Sequence, residues 1–151
     1  MTPRLILASS SPRRRDLLAQ IGVIPDDIRS PDIDEVPRKG ELPRPYAERM
    51  ASEKALAVPR SRDEVILAGD TTVAVGRRIL PQAATEADIG RFLRLLSGRA
   101  HQCITGVAVK APDGRVNSRT VMARVKVKRL TDQEIAAYIA SEEWRGKAGG
   151  Y

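Results

Sequence analysis

The apolar positions of this chain follow two different periods, which predicts strands interleaved with helices. A continuous apolar run over residues 5–8 is typical of a buried strand, and Ser11-Pro12 then supplies an N-cap and a first-turn proline for a helix towards Ile21. Apolar residues recur at helical spacing over residues 46–58, which predicts a second helix. The proline-rich stretch between the two helices, residues 25–45, is expected to be loop-like.

The second half of the chain continues this alternation. We predict strands over residues 65–75, 78–80, 102–110 and 116–129, and helices that begin after Thr85 and Thr131. Asp88 and Glu134 stand three residues after these threonines, which indicates two capping boxes. The resulting order of strands and helices predicts an α/β fold in a single domain over residues 1–151.

Composition limits the classes of function. A chain of 151 residues with 42% hydrophobic content is long enough for one domain with a sizeable core. Its net charge of +7 favours a polyanionic partner, either a nucleotide or a nucleic acid. Aromatic residues make up only 3% and do not follow a basic-aromatic pattern, which argues against a single-strand binder.

The last predicted strand keeps a nucleic-acid-binding module open as an alternative. Apolar residues at 121, 123, 125 and 127 alternate there with Arg124, Lys126 and Lys128. We therefore expect one face of this strand to be buried and the other to be basic.

Cysteine usage and the N-terminal sequence predict a cytoplasmic protein. Cys103 is the sole cysteine, so an internal disulfide is excluded. Neither a signal-peptide pattern nor an apolar stretch of membrane-spanning length is present in the sequence, and we expect no membrane partner.

The segment from Ser9 to Arg14 is the first candidate for a functional site. A strand end turns into a helix start there, so backbone N–H groups, hydroxyls and the guanidinium groups of Arg13 and Arg14 converge as a phosphate chain requires. An ordinary capped helix with solvated arginines explains the same residues equally well.

Asp70 is the second candidate, because it interrupts an otherwise apolar strand. A strand core tolerates a carboxylate poorly unless it is paired, metal-bound or at the strand end. Asp70 could hold Mg²⁺ or accept a proton from water, and Gly69 could let a ligand approach the backbone. The acidic segment 32–35 and Lys54 complete a set of groups typical of phosphate-ester chemistry.

His101 and Cys103 are not assigned to catalysis. A histidine that acts as a base needs an orienting partner, and the sequence indicates none for His101. Cys103 lacks an activating histidine motif.

Several short motifs, taken together in this order, resemble the Maf family, also called septum formation protein. They are Leu7-Ala8-Ser9-Ser10-Ser11-Pro12-Arg13-Arg14, Ile33-Asp34-Glu35, Ala51-Ser52-Glu53-Lys54-Ala55, Gly69-Asp70-Thr71, Leu96-Ser97-Gly98-Arg99-Ala100-His101, Thr105-Gly106-Val107-Ala108-Val109 and Gly146-Lys147-Ala148-Gly149-Gly150-Tyr151.

The resemblance implies a fold and an activity. The fold would be a mixed, strongly twisted sheet flanked by helices, in two lobes with a central cleft. The activity would be that of a nucleoside triphosphate pyrophosphatase that depends on a divalent cation, Mg²⁺ or Mn²⁺, with a house-cleaning role linked to cell-division arrest. The motifs around His101 and at the end of the chain are similar to the branch acting on dTTP and UTP.

The resemblance also implies roles for individual residues. Asp70 would be the proton acceptor, and Glu35 with Asp70 would hold the metal. The substrate-binding residues would be Ser9, Arg13, Arg14, Lys54, Thr71 and Gln82, with Arg13 and Thr71 tied to substrate choice.

Two departures from the family pattern favour a second hypothesis, a catalytically impaired nucleotide-binding protein. Gln82 stands where the family typically has a lysine. The family pattern normally continues beyond Tyr151 with a glutamine-containing motif and further strands, so we interpret the chain as truncated. A missing strand would expose a sheet edge and an apolar face, which would impair solubility or dimerisation. A homodimer is the expected assembly.

Overall fold

The computed structural model describes residues 2–151, in which strands and helices alternate as the sequence predicts. The strands are β1 (Arg4–Ala8), β2 (Asp27–Ile28), β3 (Glu64–Val75), β4 (Arg78–Leu80), β5 (Ala100–Lys110) and β6 (Val116–Lys126). The helices are α1 (Pro12–Gln20), α2 (Pro43–Ala57), α3 (Glu86–Leu96) and α4 (Asp132–Ser141). The predicted α/β class is confirmed.

The strands form a mixed sheet in the order β2-β1-β3-β5-β6, with β4 paired to β3. Strand β1 runs parallel to both β2 and β3, whereas β4 is antiparallel to β3. The mixed sheet implied by the family resemblance is therefore present. Within residues 2–151, no helix is long and apolar enough to cross a membrane.

The chain divides into two compact units. Unit 1 comprises the residues up to Asp70 together with Thr105–Thr120, and unit 2 comprises Thr71–Ile104 together with Val121–Tyr151. Strands β3, β5 and β6 each contribute residues to both units.

The core of unit 1 lies between α2 and the sheet. It consists of Ile6, Ala8, Ala51, Ala55, Val58, Ile66, Ala68 and Ala108. Alanines dominate this set, so the helix can lie close to the strands. One close approach is at Gly106 of β5, where an added Cβ would stand 2.3 Å from the carbonyl oxygen of Ala47. Because α2 packs directly against β5 at this glycine, the backbone positions from which its side chains extend are fixed relative to the sheet.

The core of unit 2 is built around α3, α4 and a fully buried tryptophan. One cluster contains Ala83, Ile89, Leu93, Ile135 and Trp144, and a second contains Val73, Leu80 and Leu96. The Trp144 Nε1–H donates to the carbonyl oxygen of Ile139 at 3.0 Å, so the buried ring has no unsatisfied donor.

The two predicted capping boxes differ. At α3 the Thr85 hydroxyl accepts from the Asp88 N–H, and the Asp88 carboxylate accepts from the Thr85 N–H, which completes the box. At α4 the Thr131 hydroxyl accepts from the Glu134 N–H, but the Glu134 carboxylate pairs with Lys128 instead. The second box is therefore only half formed.

Two other local expectations are wrong. Helix α2 begins at Pro43, inside the stretch expected to be a loop, because proline is tolerated in the first turn, where the N–H has no helical partner. Strand β6 does not bury its apolar face along its length, since Val121 is 64% exposed and Ala123 is exposed as well. Strand β6 stands at one end of the strand order, where one long edge has no neighbouring strand within residues 2–151.

Candidate active site

Ser9 lies at the turn between β1 and α1 and organises that turn. Its side chain is buried, and its hydroxyl accepts hydrogen bonds from the Ser11 N–H at 3.0 Å and from Nη1 of Arg14 at 3.4 Å. The predicted N-cap, Ser11, has the expected extended backbone but makes no side-chain cap bond. Ser9 therefore accepts the N–H of the N-cap residue and orients Arg14 at the same time.

Arg14 extends from the first turn of α1 to the backbone of β3. An added Cβ at Gly69 would stand 3.2 Å from the Arg14 Nε, so the glycine makes room for this guanidinium group. The pKa of Arg14 lies below its ordinary value, mainly because the guanidinium group is buried. The charges of Asp70 and Glu35 raise this pKa, and the charge of Arg13 lowers it. Arginine stays protonated under all these influences, so a fixed cation lies beside two carboxylates.

Lys54 of α2 joins those two carboxylates. Its Nζ lies 2.9 Å from Oδ1 of Asp70 and 2.8 Å from Oε1 of Glu35. The side chains of Lys54 and Asp70 are 13% and 9% exposed, whereas that of Glu35 is 55% exposed. A carboxylate from a strand and one from a loop therefore meet at a single ammonium group.

The expected residues of unit 1 are thus brought together. Ser9, Arg14, Glu35, Lys54 and Asp70 form one connected group, and Arg13 is exposed on the first turn of α1. Cationic groups suited to phosphate oxygens stand next to carboxylates suited to a hard divalent cation.

The carboxylates of this group fit Mg²⁺ or Mn²⁺ better than a structural zinc ion. Within residues 2–151, no three His, Cys, Asp or Glu side chains are grouped as a metal site. Mg²⁺ is usually held by only one or two carboxylates together with substrate phosphates and water, so the pair Glu35 and Asp70 is the kind of ligand set that it uses.

Tyr46 is a contributor that sequence reasoning missed. Its hydroxyl donates to the backbone carbonyl oxygen of Glu35 at 2.5 Å. Burial, followed by the charges of Asp70 and Glu35, raises the pKa of Tyr46 to about 12, so the hydroxyl remains a donor. Its helical spacing among apolar residues already explains it as a core residue, and the sequence contains no further signal.

Thr71 and Gln82 belong to unit 2. Thr71 follows Asp70 on β3 and is half-buried, and strand alternation directs its side chain to the opposite face of the sheet from that of Asp70. Gln82 is exposed after β4 and forms a backbone bridge with Ala148.

His101 and Tyr151 form a separate pair in unit 2. The imidazole is buried, and its Nε2 shares a hydrogen bond with the Tyr151 hydroxyl. Within the described residues, Nδ1 of His101 has no hydrogen-bond partner. Burial lowers the pKa of His101 and raises that of the nearby Cys103 thiol, so both groups favour their neutral forms.

Comparison with known proteins decides the family. The chain matches the family described as Maf-like protein over residues 4–151. This chain belongs to the Maf family. The resemblance drawn from its motifs is thereby confirmed.

Curated relatives of this Maf-family chain carry a consistent name. It is 62% identical over 147 residues to the "dTTP/UTP pyrophosphatase" of Hyphomonas neptunium, covering 97% of this chain and 76% of that protein. It is 59% identical over 147 residues to the protein of the same name from Cereibacter sphaeroides, with the same two coverages.

Solved structures of proteins with much lower sequence identity show the same fold. A HAM1 protein from Coxiella burnetii matches with a TM-score of 0.53 and 18% identity, over 85% of this chain and 74% of that one. The Staphylococcus aureus Ham1 protein matches with a TM-score of 0.51 and 18% identity, over 82% and 71%. The Maf-family chain therefore shares its fold with Ham1 proteins.

Proposed function

We propose that this chain hydrolyses dTTP and UTP to the nucleoside monophosphate and pyrophosphate, by cleavage between the α- and β-phosphates. The observation that carries the proposal is the contact of Lys54 with both Asp70 and Glu35, beside the guanidinium group of Arg14. The names of the curated relatives support the choice of substrates.

The cationic side chains bind the triphosphate. Arg13, Arg14 and Lys54 would contact phosphate oxygens, and the serine-rich turn at Ser9 presents the start of α1 to the same charge. These contacts stabilise the negative charge that develops as the phosphoanhydride bond breaks. We assign Arg13 and Thr71 to the choice of base, and Gln82 to a further substrate contact.

The carboxylates bind the metal ion, and one of them accepts the proton of the attacking water. Glu35 and Asp70 would hold Mg²⁺ or Mn²⁺, which when bound neutralises charge on the phosphates. Asp70 accepts the proton of the attacking water, because its carboxylate is almost buried and is held beside the cations Lys54 and Arg14 that bind the phosphates. Lys54 contacts both carboxylates and keeps them oriented.

We place this activity in the cytoplasm, where nucleoside triphosphates and a reduced Cys103 are expected together. We also propose a homodimer, supported by Val121 and Met122, which expose apolar surface on β6. Sedimentation velocity at two protein concentrations tests the dimer, and a monomer at both would reject it.

The activity is tested by pyrophosphate release from dTTP, UTP, CTP, 7-methyl-GTP and ITP with Mg²⁺ or Mn²⁺. We expect turnover of dTTP and UTP. Asp70→Asn should lower kcat by roughly 10²–10⁴-fold, the usual contribution of a general base. Asp113→Asn, the same change at an exposed turn, is the matched control and should retain the rate.

Three results would count against this proposal or a part of it. Undiminished turnover by Asp70→Asn would remove the proposed role of Asp70. Thermal stabilisation by dTTP and metal without turnover would instead favour a nucleotide-binding protein without activity. Salt-sensitive oligonucleotide binding that nucleotide does not displace would favour the basic β6 residues Arg124 and Lys126, both exposed, as a nucleic-acid surface.

A further inference from the structure

The loop that carries Glu35 has no regular secondary structure of its own. It spans residues 29–42, between β2 and α2. Strand and helix ladders do not fix such a backbone, so its position depends on the groups that bond to it. Because the Glu35 carboxylate is largely exposed, packing around its own side chain cannot hold it at Lys54.

Two side chains of α2 hold the loop next to Glu35. The Tyr46 hydroxyl donates to the Glu35 carbonyl oxygen at 2.5 Å, and Nη2 of Arg49 donates to the Val36 carbonyl oxygen at 3.3 Å. Tyr46 and Arg49 are three residues apart and so share one face of the helix. Two successive carbonyl groups of the loop are therefore bound to one helix face.

Arg49 also holds the end of the loop that leads into α2. Its Nε and Nη2 each lie 2.7 Å from a different oxygen of Glu41, a bidentate pair in which the two side chains are 16% and 10% exposed. Glu41 in turn accepts from the Arg38 N–H at 3.0 Å. A bidentate arginine fixes the orientation of its partner as well as its distance.

The helix that holds the loop also carries the ammonium group facing Glu35. Tyr46, Arg49 and Lys54 all project from α2, which Gly106 allows to sit close against β5. We infer that Tyr46 and Arg49 are positioning residues that keep the Glu35 carboxylate beside Lys54 and Asp70, and so set the affinity for the divalent cation. The inference rests on the metal-binding role of Glu35 in the proposed function.

The test compares two variants with two matched controls. Tyr46→Phe removes one hydroxyl-to-carbonyl bond, and Tyr138→Phe removes a similar bond to the carbonyl oxygen of Gly150, 2.8 Å long, in unit 2. Arg49→Lys replaces one bidentate arginine, and Arg145→Lys replaces another, which holds Glu142 at 3.1 and 3.3 Å outside the loop. The controls separate positioning of Glu35 from a general loss of stability.

Two readouts that need no turnover are measured on each protein. They are the hydrogen exchange of residues 33–41 and the dissociation constant for Mn²⁺ alone, by electron paramagnetic resonance. We expect Tyr46→Phe and Arg49→Lys to accelerate exchange in this segment and to raise the Kd for Mn²⁺, each by about 3–10-fold, the equivalent of one lost hydrogen bond. Tyr138→Phe and Arg145→Lys should change neither value.

A double-mutant cycle decides whether the effect passes through Glu35. In a Glu35→Gln background, Tyr46→Phe should raise the Kd for Mn²⁺ no further. Additive losses, unchanged exchange in residues 33–41, equal losses in the controls, or a parent without measurable Mn²⁺ affinity would each overturn the inference. Absence of dTTP turnover with these results intact would reject the proposed function alone.

Discussion

Lys54 interacts with two carboxylates that have different surroundings. It contacts Asp70, which is almost buried, and Glu35, which is largely exposed. Two carboxylates this close repel each other when no cation lies between them, and a buried charge without a partner is costly. A single ammonium group therefore keeps both acids in place before substrate and metal arrive.

Lys54→Met tests whether Lys54 is needed for activity and not only for a folded protein. We expect kcat/KM for dTTP to fall by roughly 10²–10³-fold, as when one charge-stabilising donor is removed from an active site. Steady-state pyrophosphate release measures this. Lys39→Met, on the exposed turn before α2, is the control, and an equal loss in both variants would contradict a specific role for Lys54.

Residue-level expectations succeeded where a residue conflicts with its surroundings. Asp70 was identifiable because an acid inside an apolar strand needs a partner, and the structure provides Lys54. Tyr46 does not conflict with its surroundings, because packing against the core already explains an aromatic residue at helical spacing. Ser11 is the N-cap of α1 as predicted, but it makes no side-chain cap bond, and the hydrogen bonds of the Ser9 hydroxyl to the Ser11 N–H and to Arg14 could not be deduced from the local sequence.

At the level of elements, the two capped helices provide an internal comparison. Thr85 takes part in a complete capping box, whereas Thr131 makes one of the two bonds. We expect Thr85→Ala to lower the free energy of unfolding by about 1–2 kcal/mol, and Thr131→Ala to lower it by less. Urea unfolding measures both, and a larger loss for Thr131→Ala would contradict the comparison.

Element boundaries were predictable wherever periodicity and end signals agree. The capping box of α3 is an example, since Thr85 and Asp88 mark the start of a strongly periodic segment. The start of α2 was missed because Pro43 and Pro45 are typical of loops as well as of first turns. The exposure of Val121 was missed because alternation in β6 does not reveal whether anything covers the strand.

The whole molecule should lose stability in acid. Hydrogen bonds from Arg49 and Arg29 lower the pKa values of Glu41 and Glu64 from 4.5 to about 2. Both folded-state values lie below the ordinary value, so their contribution is complete above about pH 4.5 and declines as the pH falls towards 2. Thermal unfolding at a series of pH values should show Tm falling in this window.

Glu64→Gln provides the check on this acid dependence. The variant should be less stable at neutral pH, and its Tm should fall less steeply between pH 4.5 and 2, because one linked carboxylate is gone. An unchanged slope would show that Glu64 does not contribute to acid unfolding.

The fold class was predictable at the scale of the molecule because it depends on local periods repeated along the chain. Two lobes were expected only from the family resemblance, and periodicity does not reveal the division into two units, because β3 continues as one strand across the boundary after Asp70. Gly69 was expected to admit a ligand, and it makes room for Arg14, a contact between residues distant in sequence.

The close approach at Gly106 has a consequence for which sequences this fold can accept. Alanine there would place a methyl group 2.3 Å from the carbonyl oxygen of Ala47, which is too close for two non-bonded atoms, and neither backbone can rotate away as a side chain could. Gly76, by contrast, has a positive φ of 58° with no atom within 4 Å of an added Cβ, so asparagine can replace it at small cost. A saturation library selected for folded protein should therefore retain glycine alone at position 106 and several residue types at position 76, which makes the contact between α2 and β5 one of the least mutable places in the chain.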